Sequence, residues 1–75
     1  MTATKEDFHV GELVEVSAEY TAMLEELFGI ERGRRAMVMP RQIVGSFEDF
    51  VINVYVIYPD GKTTFIPPHQ LKKIA

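Results

Sequence analysis

The sequence predicts a mainly β fold: a small, strongly bent five-stranded barrel with one helix inserted after the first strand and one 3₁₀ turn before the last. Three observations predict it. Short β-branched or alternating apolar runs are separated by tight-turn signals, a single stretch changes its apolar period from two to 3.6, and 75 residues have room for only one core. Residues 1–75 are accordingly read as a single domain.

Each element has its own signal. In "FHVGELVEVS" Gly11 marks a turn, and Val14 and Val16 alternate with Glu15 and Ser17 at the strand period; Val10 and Leu13 break the alternation. Tyr20, Met23, Leu24, Leu27 and Phe28 then fall at i, i+3, i+4, i+7 and i+8, which predicts a helix over about residues 18–28. Ser17 is its expected N-cap and Gly29 its C-terminal stop. "RRAMVMPRQIVG" reads as extended, with Pro40 at a bulge, a bend or a sheet edge because it cannot donate to a ladder. "GSFEDF" is a loop or hairpin connection. "VINVYVIY", residues 51–58, is the strongest strand, and "YPDGK" is a hairpin turn in which Pro59 presets φ and Gly61 takes the left-handed conformation of a bulge. "TTFIP" returns as its partner, "PHQL" makes the 3₁₀ turn, and "KKIA" is the last short strand.

Composition narrows the function classes. With 47% hydrophobic and 25% charged residues the chain is of ordinary globular type rather than disordered. It has no cysteine, which removes disulfides, thiolate metal sites and a thiol nucleophile and favours an intracellular home. "MTATKEDFHVGE" is too polar for a signal peptide, and no apolar run approaches the roughly 20 residues that span a bilayer. The expected compartment is the cytoplasm, with a virion or infected-cell cytoplasm as the other setting. The charge is polarised along the chain: residues 1–31 carry eight acidic groups against Lys5, a balance of −7, and residues 32–75 carry seven basic against three acidic, a balance of +4. Either the two sets interleave and cancel, or they form an acidic and a basic side that would steer a charged partner or another copy of the chain.

The tail "TTFIPPHQLKKI" resembles the end of an SH3-like barrel, where a strand, a proline-bearing 3₁₀ turn with a buried aliphatic residue and a closing strand follow one another. On that resemblance Leu71 and Ile74 are the buried pair. The opening "FHVGELVEV" is similar to the first strand of the SH3-like, KOW and Tudor group. "VYVIYPDGKTTFIPPHQL" is similar to short SH3-like proteins of bacterial and phage genomes. The resemblance covers most of the chain except the helix, and it implies fold more than activity. The proline-rich-peptide groove of SH3 domains lies outside it, because that groove uses a Trp and this chain has none.

Catalytic and metal chemistry have little to stand on. His9 and His69 are far apart and no Cys joins them, so no cofactor or metal is expected. Ser46 and Asp49 offer the letters of a triad without the strand–turn–helix setting of a nucleophile, and "GIERGRR" lacks the spacing of a phosphate loop. The chain is therefore read as not an enzyme. The basic cluster Arg32, Arg34, Arg35 and Arg41, with Lys62, Lys72 and Lys73 and the aromatics Tyr55, Tyr58 or Phe65, is the candidate nucleic-acid surface; the bland reading is a solvated loop balancing Glu25, Glu26 and Glu31. An aromatic cage for a methylated lysine would draw on the same rings, which a core this small also needs.

The strand at 51–58 poses the sharpest question. Val51, Asn53, Tyr55 and Ile57 face one way and Ile52, Val54, Val56 and Tyr58 the other, and apart from Asn53 both sides are apolar. Either the helix covers the second side or another protein does, and Phe47 and Phe50 would extend such a contact unless "SFEDF" folds Phe50 into the core. The expectation is a non-catalytic, self-associating SH3-like interaction module with contacts at Phe47, Phe50, Tyr55 and Ile57. The alternative is a nucleic-acid-binding barrel that uses the Arg32 to Arg41 cluster.

Overall fold

The computed structural model of the chain describes residues 4–29, 33–40 and 52–74. Within them the period-two runs form five strands: β1 (Leu13–Val16), β2 (Arg35–Val38), β3 (Val54–Ile57), β4 (Thr63–Ile66) and β5 (Leu71–Lys73). One helix, α1 (Ala18–Phe28), follows β1, and 3₁₀ turns occupy Lys5–Asp7 and Pro68–Gln70. The strands pair antiparallel in the order β4-β3-β2-β1-β5. β4 and β5 are its two edges, so the described residues form one open five-stranded sheet rather than a closed barrel.

The turn chemistry acts where the sequence places it. The Ser17 hydroxyl accepts the Tyr20 N–H at 3.1 Å, satisfying one of the orphan donors of the first helical turn. Gly29 ends the helix at φ 66°, its N–H donating to the Glu25 carbonyl at 2.8 Å. In the β3–β4 hairpin Gly61 sits at φ 88°, and Tyr58 N–H donates to the Lys62 carbonyl at 2.8 Å. Asp60 Oδ1 braces the same turn by accepting the Lys62 N–H at 2.9 Å. β2 stops at Val38, before Pro40 could break its ladder. β3 is shorter than the apolar run suggests: it begins at Val54, after Asn53, a residue depleted in strands.

Alternation decides which side chains make the core. Val14 and Val16, Ala36 and Val38, Val54 and Val56 are buried while their neighbours in the strands are not, and Tyr58, Ile66 and Leu71 complete the cluster. Burying each of the larger apolar side chains is worth about 1.5–3 kcal/mol, so this single face carries most of the stability. Leu71 is buried, as its proposed role in the turn requires, but Ile74 is only half-buried. Its N–H bonds to the Leu13 carbonyl at 3.0 Å, and the strand period sets it on the opposite face from Leu71.

The helix is rotated away from its own apolar stripe. Thr21 and Leu24 are buried and Tyr20 packs on the core, whereas Met23, Leu27 and Phe28 remain exposed. The first turn explains the rotation. Ser17 N–H donates to the Gln70 carbonyl at 2.8 Å and the Ser17 hydroxyl donates to Gln70 Oε1, which ties the start of α1 to the second 3₁₀ turn. Thr21, one turn on from Ser17, is thereby drawn inward and Met23 and Leu27 are turned out.

Candidate interaction surface

Because Tyr20 packs against the face formed by Val14, Val54 and their neighbours, α1 lies on the core side of the sheet and leaves the outer face to other contacts. Of the two covers considered for the second side of the 51–58 strand, the chain's own helix is therefore not the one. Strand register then assembles a row on that outer face. Leu13 is opposite Met37, Met37 opposite Ile57 and Ile57 opposite Thr63, and Ile74 adjoins Leu13 through its backbone bond. The row runs from Ile74, the residue that follows β5, through Leu13, Met37, Ile57 and Thr63 across the other four strands and is apolar at four of its positions. Leu13 is 56% exposed and Met37 39%. Leu13, Met37, Ile57 and Pro59 line a cavity of about 330 Å³ whose walls are mostly apolar, with Arg35 at its margin.

Two further rows flank this one. On one side Glu15 lies between Arg35 and Lys72 in register, and Arg34 Nη2 stands 3.4 Å from Glu15 Oε1. On the other side Tyr55 is opposite Phe65, the rings 4.8 Å apart at their centroids and tilted by 46°. The Tyr55 hydroxyl donates to Thr63 Oγ1 at 2.8 Å, a diagonal cross-strand bond. Tyr55 and Phe65 border a second cavity, of about 280 Å³, shared with Phe8 and the N-terminal 3₁₀ turn. Tyr55 and Ile57 thus occupy one face yet serve different surroundings: Tyr55 belongs to an aromatic pair, Ile57 to the apolar row.

The other expected site residues divide. Phe47, Phe50, Arg32 and Arg41 lie outside the described residues. Arg34 is already engaged, its Nε donating to the Val16 carbonyl at 2.9 Å and its Nη2 reaching Glu15. Arg35 is exposed beside Glu15. Lys73 Nζ is 3.4 Å from Glu12 Oε2 and 5.9 Å from the centre of the Phe8 ring. The acidic first part and the basic second part of the chain therefore interleave along β1. α1 itself carries Glu19, Glu25 and Glu26 and no basic residue.

His9 and His69 are both exposed and sit in different turns, His9 Nδ1 lying 3.2 Å from Glu12 Oε1. Glu12 also accepts the His9 backbone N–H, and that bond, with the His9 ring and the Lys73 ammonium adding to it, holds its carboxyl below the ordinary carboxylate value. Among the described residues no three His, Asp or Glu side chains gather as a metal-holding group, and no helix is long and apolar enough to cross a membrane. No family model, curated protein or solved structure matches the chain.

Sequence reasoning missed Leu13 and Met37 as surface residues. Leu13 left a trace, since it broke the alternation of the first strand. Met37 left none, because its place beside Leu13 and Ile57 depends on register.

Proposed function

We propose that the protein is a non-catalytic interaction module of the SH3-like kind, that it associates with copies of itself, and that the outer face of the sheet is a contact surface. The observation that carries this reading is the apolar row of Ile74, Leu13, Met37 and Ile57 on the side of the sheet that the helix does not cover. A half-exposed apolar row spanning a whole sheet is costly in water and is characteristic of interfaces. The SH3-like assignment is supported by the tail: β5 returns beside β1 directly after the proline-bearing 3₁₀ turn, the closing arrangement that the resemblance implies.

Nucleic-acid binding is the less supported reading. Among the described residues of the basic cluster Arg34 is committed to Val16 and Glu15, which leaves Arg35 as its one uncommitted cation, too few for the many phosphate contacts that carry nucleic-acid affinity.

The test is solution mass by light scattering after size exclusion, across a range of concentrations, for the native chain and for Met37→Lys, with circular dichroism to show that the variant is folded. A native mass that rises with concentration and a folded, monomeric variant are expected. A native chain that is monomeric throughout overturns the reading, and salt-dependent retention on a polyanion column would then favour the nucleic-acid alternative.

A further inference from the structure

Among the described residues two exposed surfaces of opposite character stand out. The first is the outer face of the sheet, where Leu13, Met37 and Ile57 are bordered by Arg35 and Lys72. The second is the outward stripe of α1. Glu19, Met23, Glu26 and Leu27 follow at i, i+4, i+7 and i+8, all four exposed, with Met23 at 42% and Leu27 at 69%. Tyr20 holds the helix on the core side of the sheet, so the chain cannot lay this stripe on its own outer face.

Resting on the self-association reading, we infer that the partner of the sheet face is the α1 stripe of a second copy: Met23 and Leu27 enter the apolar cleft between Leu13, Met37 and Ile57 while Glu19 and Glu26 meet Arg35 and Lys72. Charge selects this arrangement over the two symmetric ones. A two-fold contact of sheet face with sheet face would offer Arg35 and Lys72 no carboxylate beyond Glu15, which Arg34 already shares, and one of helix with helix would offer Glu19 and Glu26 no base. Helix against sheet brings acid to base and apolar stripe to apolar cleft at once. The cleft's volume of about 330 Å³ is at the small end of the range for binding pockets, roughly 300–1,000 Å³, and suits two aliphatic side chains rather than a large ligand.

Such a contact is heterologous: each copy gives its helix to one neighbour and its sheet to another, and the assembly grows as a ring or an open chain. This property supplies the test. Leu27→Lys spoils the helix stripe and keeps the sheet face; Met37→Lys does the reverse. Both positions are exposed enough for the fold to survive, which circular dichroism and a melting curve check. Light scattering is expected to show each variant monomeric at concentrations where the native chain associates, and an equimolar mixture of the two forming a complex of twice the monomer mass and stopping there. Association of Leu27→Lys equal to that of the native chain, or a mixture that stays monomeric, overturns the helix-to-sheet contact while leaving self-association standing. A native chain that never associates removes the self-association reading itself.

Discussion

Ser17 and Gln70 are 53 residues apart and share two hydrogen bonds, one from the Ser17 hydroxyl to the Gln70 side-chain oxygen and one from the Ser17 amide to the Gln70 carbonyl. The same Ser17 hydroxyl accepts the Tyr20 N–H as the helix cap. One side chain therefore starts the helix and fastens it to the turn that precedes β5. Ser17→Ala is expected to cost about 1–2 kcal/mol, the loss of a cap together with a partly buried side-chain bond. Urea unfolding of Ser17→Ala, Gln70→Ala and the double variant measures this. The single losses should not add, leaving a coupling of at least about 0.5 kcal/mol. Strict additivity would mean that the two side chains do not interact.

Thr21 is buried in α1, and its hydroxyl has no hydrogen-bond partner among the described residues. A buried hydroxyl without a partner pays its desolvation with no return, so removing it while keeping the shape is neutral or favourable. Thr21→Val is expected to leave stability unchanged or to raise it by up to about 1 kcal/mol. A loss greater than about 1 kcal/mol in denaturant unfolding would count against this, since it would mean that the hydroxyl has a partner.

Gly61 and Gly33 make a matched pair. A Cβ at either position would meet nothing within 4 Å, but only Gly61 has a positive φ, 88°. Gly61→Ala is expected to destabilise by about 1–2 kcal/mol through backbone strain alone. Gly33→Ala is expected to stay within about 0.5 kcal/mol of the native chain. Equal effects in thermal melts would show that the hairpin does not need the left-handed residue.

Elements bounded by capping or turn residues were legible in the sequence. Ser17 and Gly29 fixed both ends of the helix, and Pro59, Asp60 and Gly61 fixed the hairpin, because a cap or a positive φ is a local requirement that a few neighbouring residues meet. The rotation of the helix was not legible. Its apolar stripe pointed to Met23 and Leu27 as buried, yet the contact that turns Thr21 inward comes from Gln70, at the far end of the chain. The candidate surface was legible in part for a similar reason. Ile57 stood out as the surplus apolar side of a strong strand, and Leu13 as a break in alternation. That they lie in one row, with Met37 between them, follows from the registers of three strands, which no single stretch encodes. Tyr55 shared the pattern of Ile57, and only the position of Phe65 across the ladder distinguishes its role.

Glu12 gives the fold a dependence on pH whose sign is set by its surroundings. The His9 backbone N–H first, then the His9 ring and Lys73, favour its charged form and hold its carboxyl below the ordinary value. A carboxyl whose folded value is depressed binds its proton more readily in the unfolded chain. Its contribution is therefore complete above the ordinary carboxylate range and is lost as the pH falls through the depressed value. Glu12→Gln keeps an oxygen for the His9 N–H and removes the charge, so it isolates this contribution. At neutral pH the native chain is expected to be the more stable of the two, by a margin that narrows with added salt because the site is open to solvent. As the pH falls below the ordinary carboxylate range, the margin should shrink toward zero. Urea unfolding of both proteins across the acid range decides the matter: a margin that is the same at neutral and strongly acidic pH would show that the charge on Glu12 contributes nothing and that any difference lies in the hydrogen bond alone.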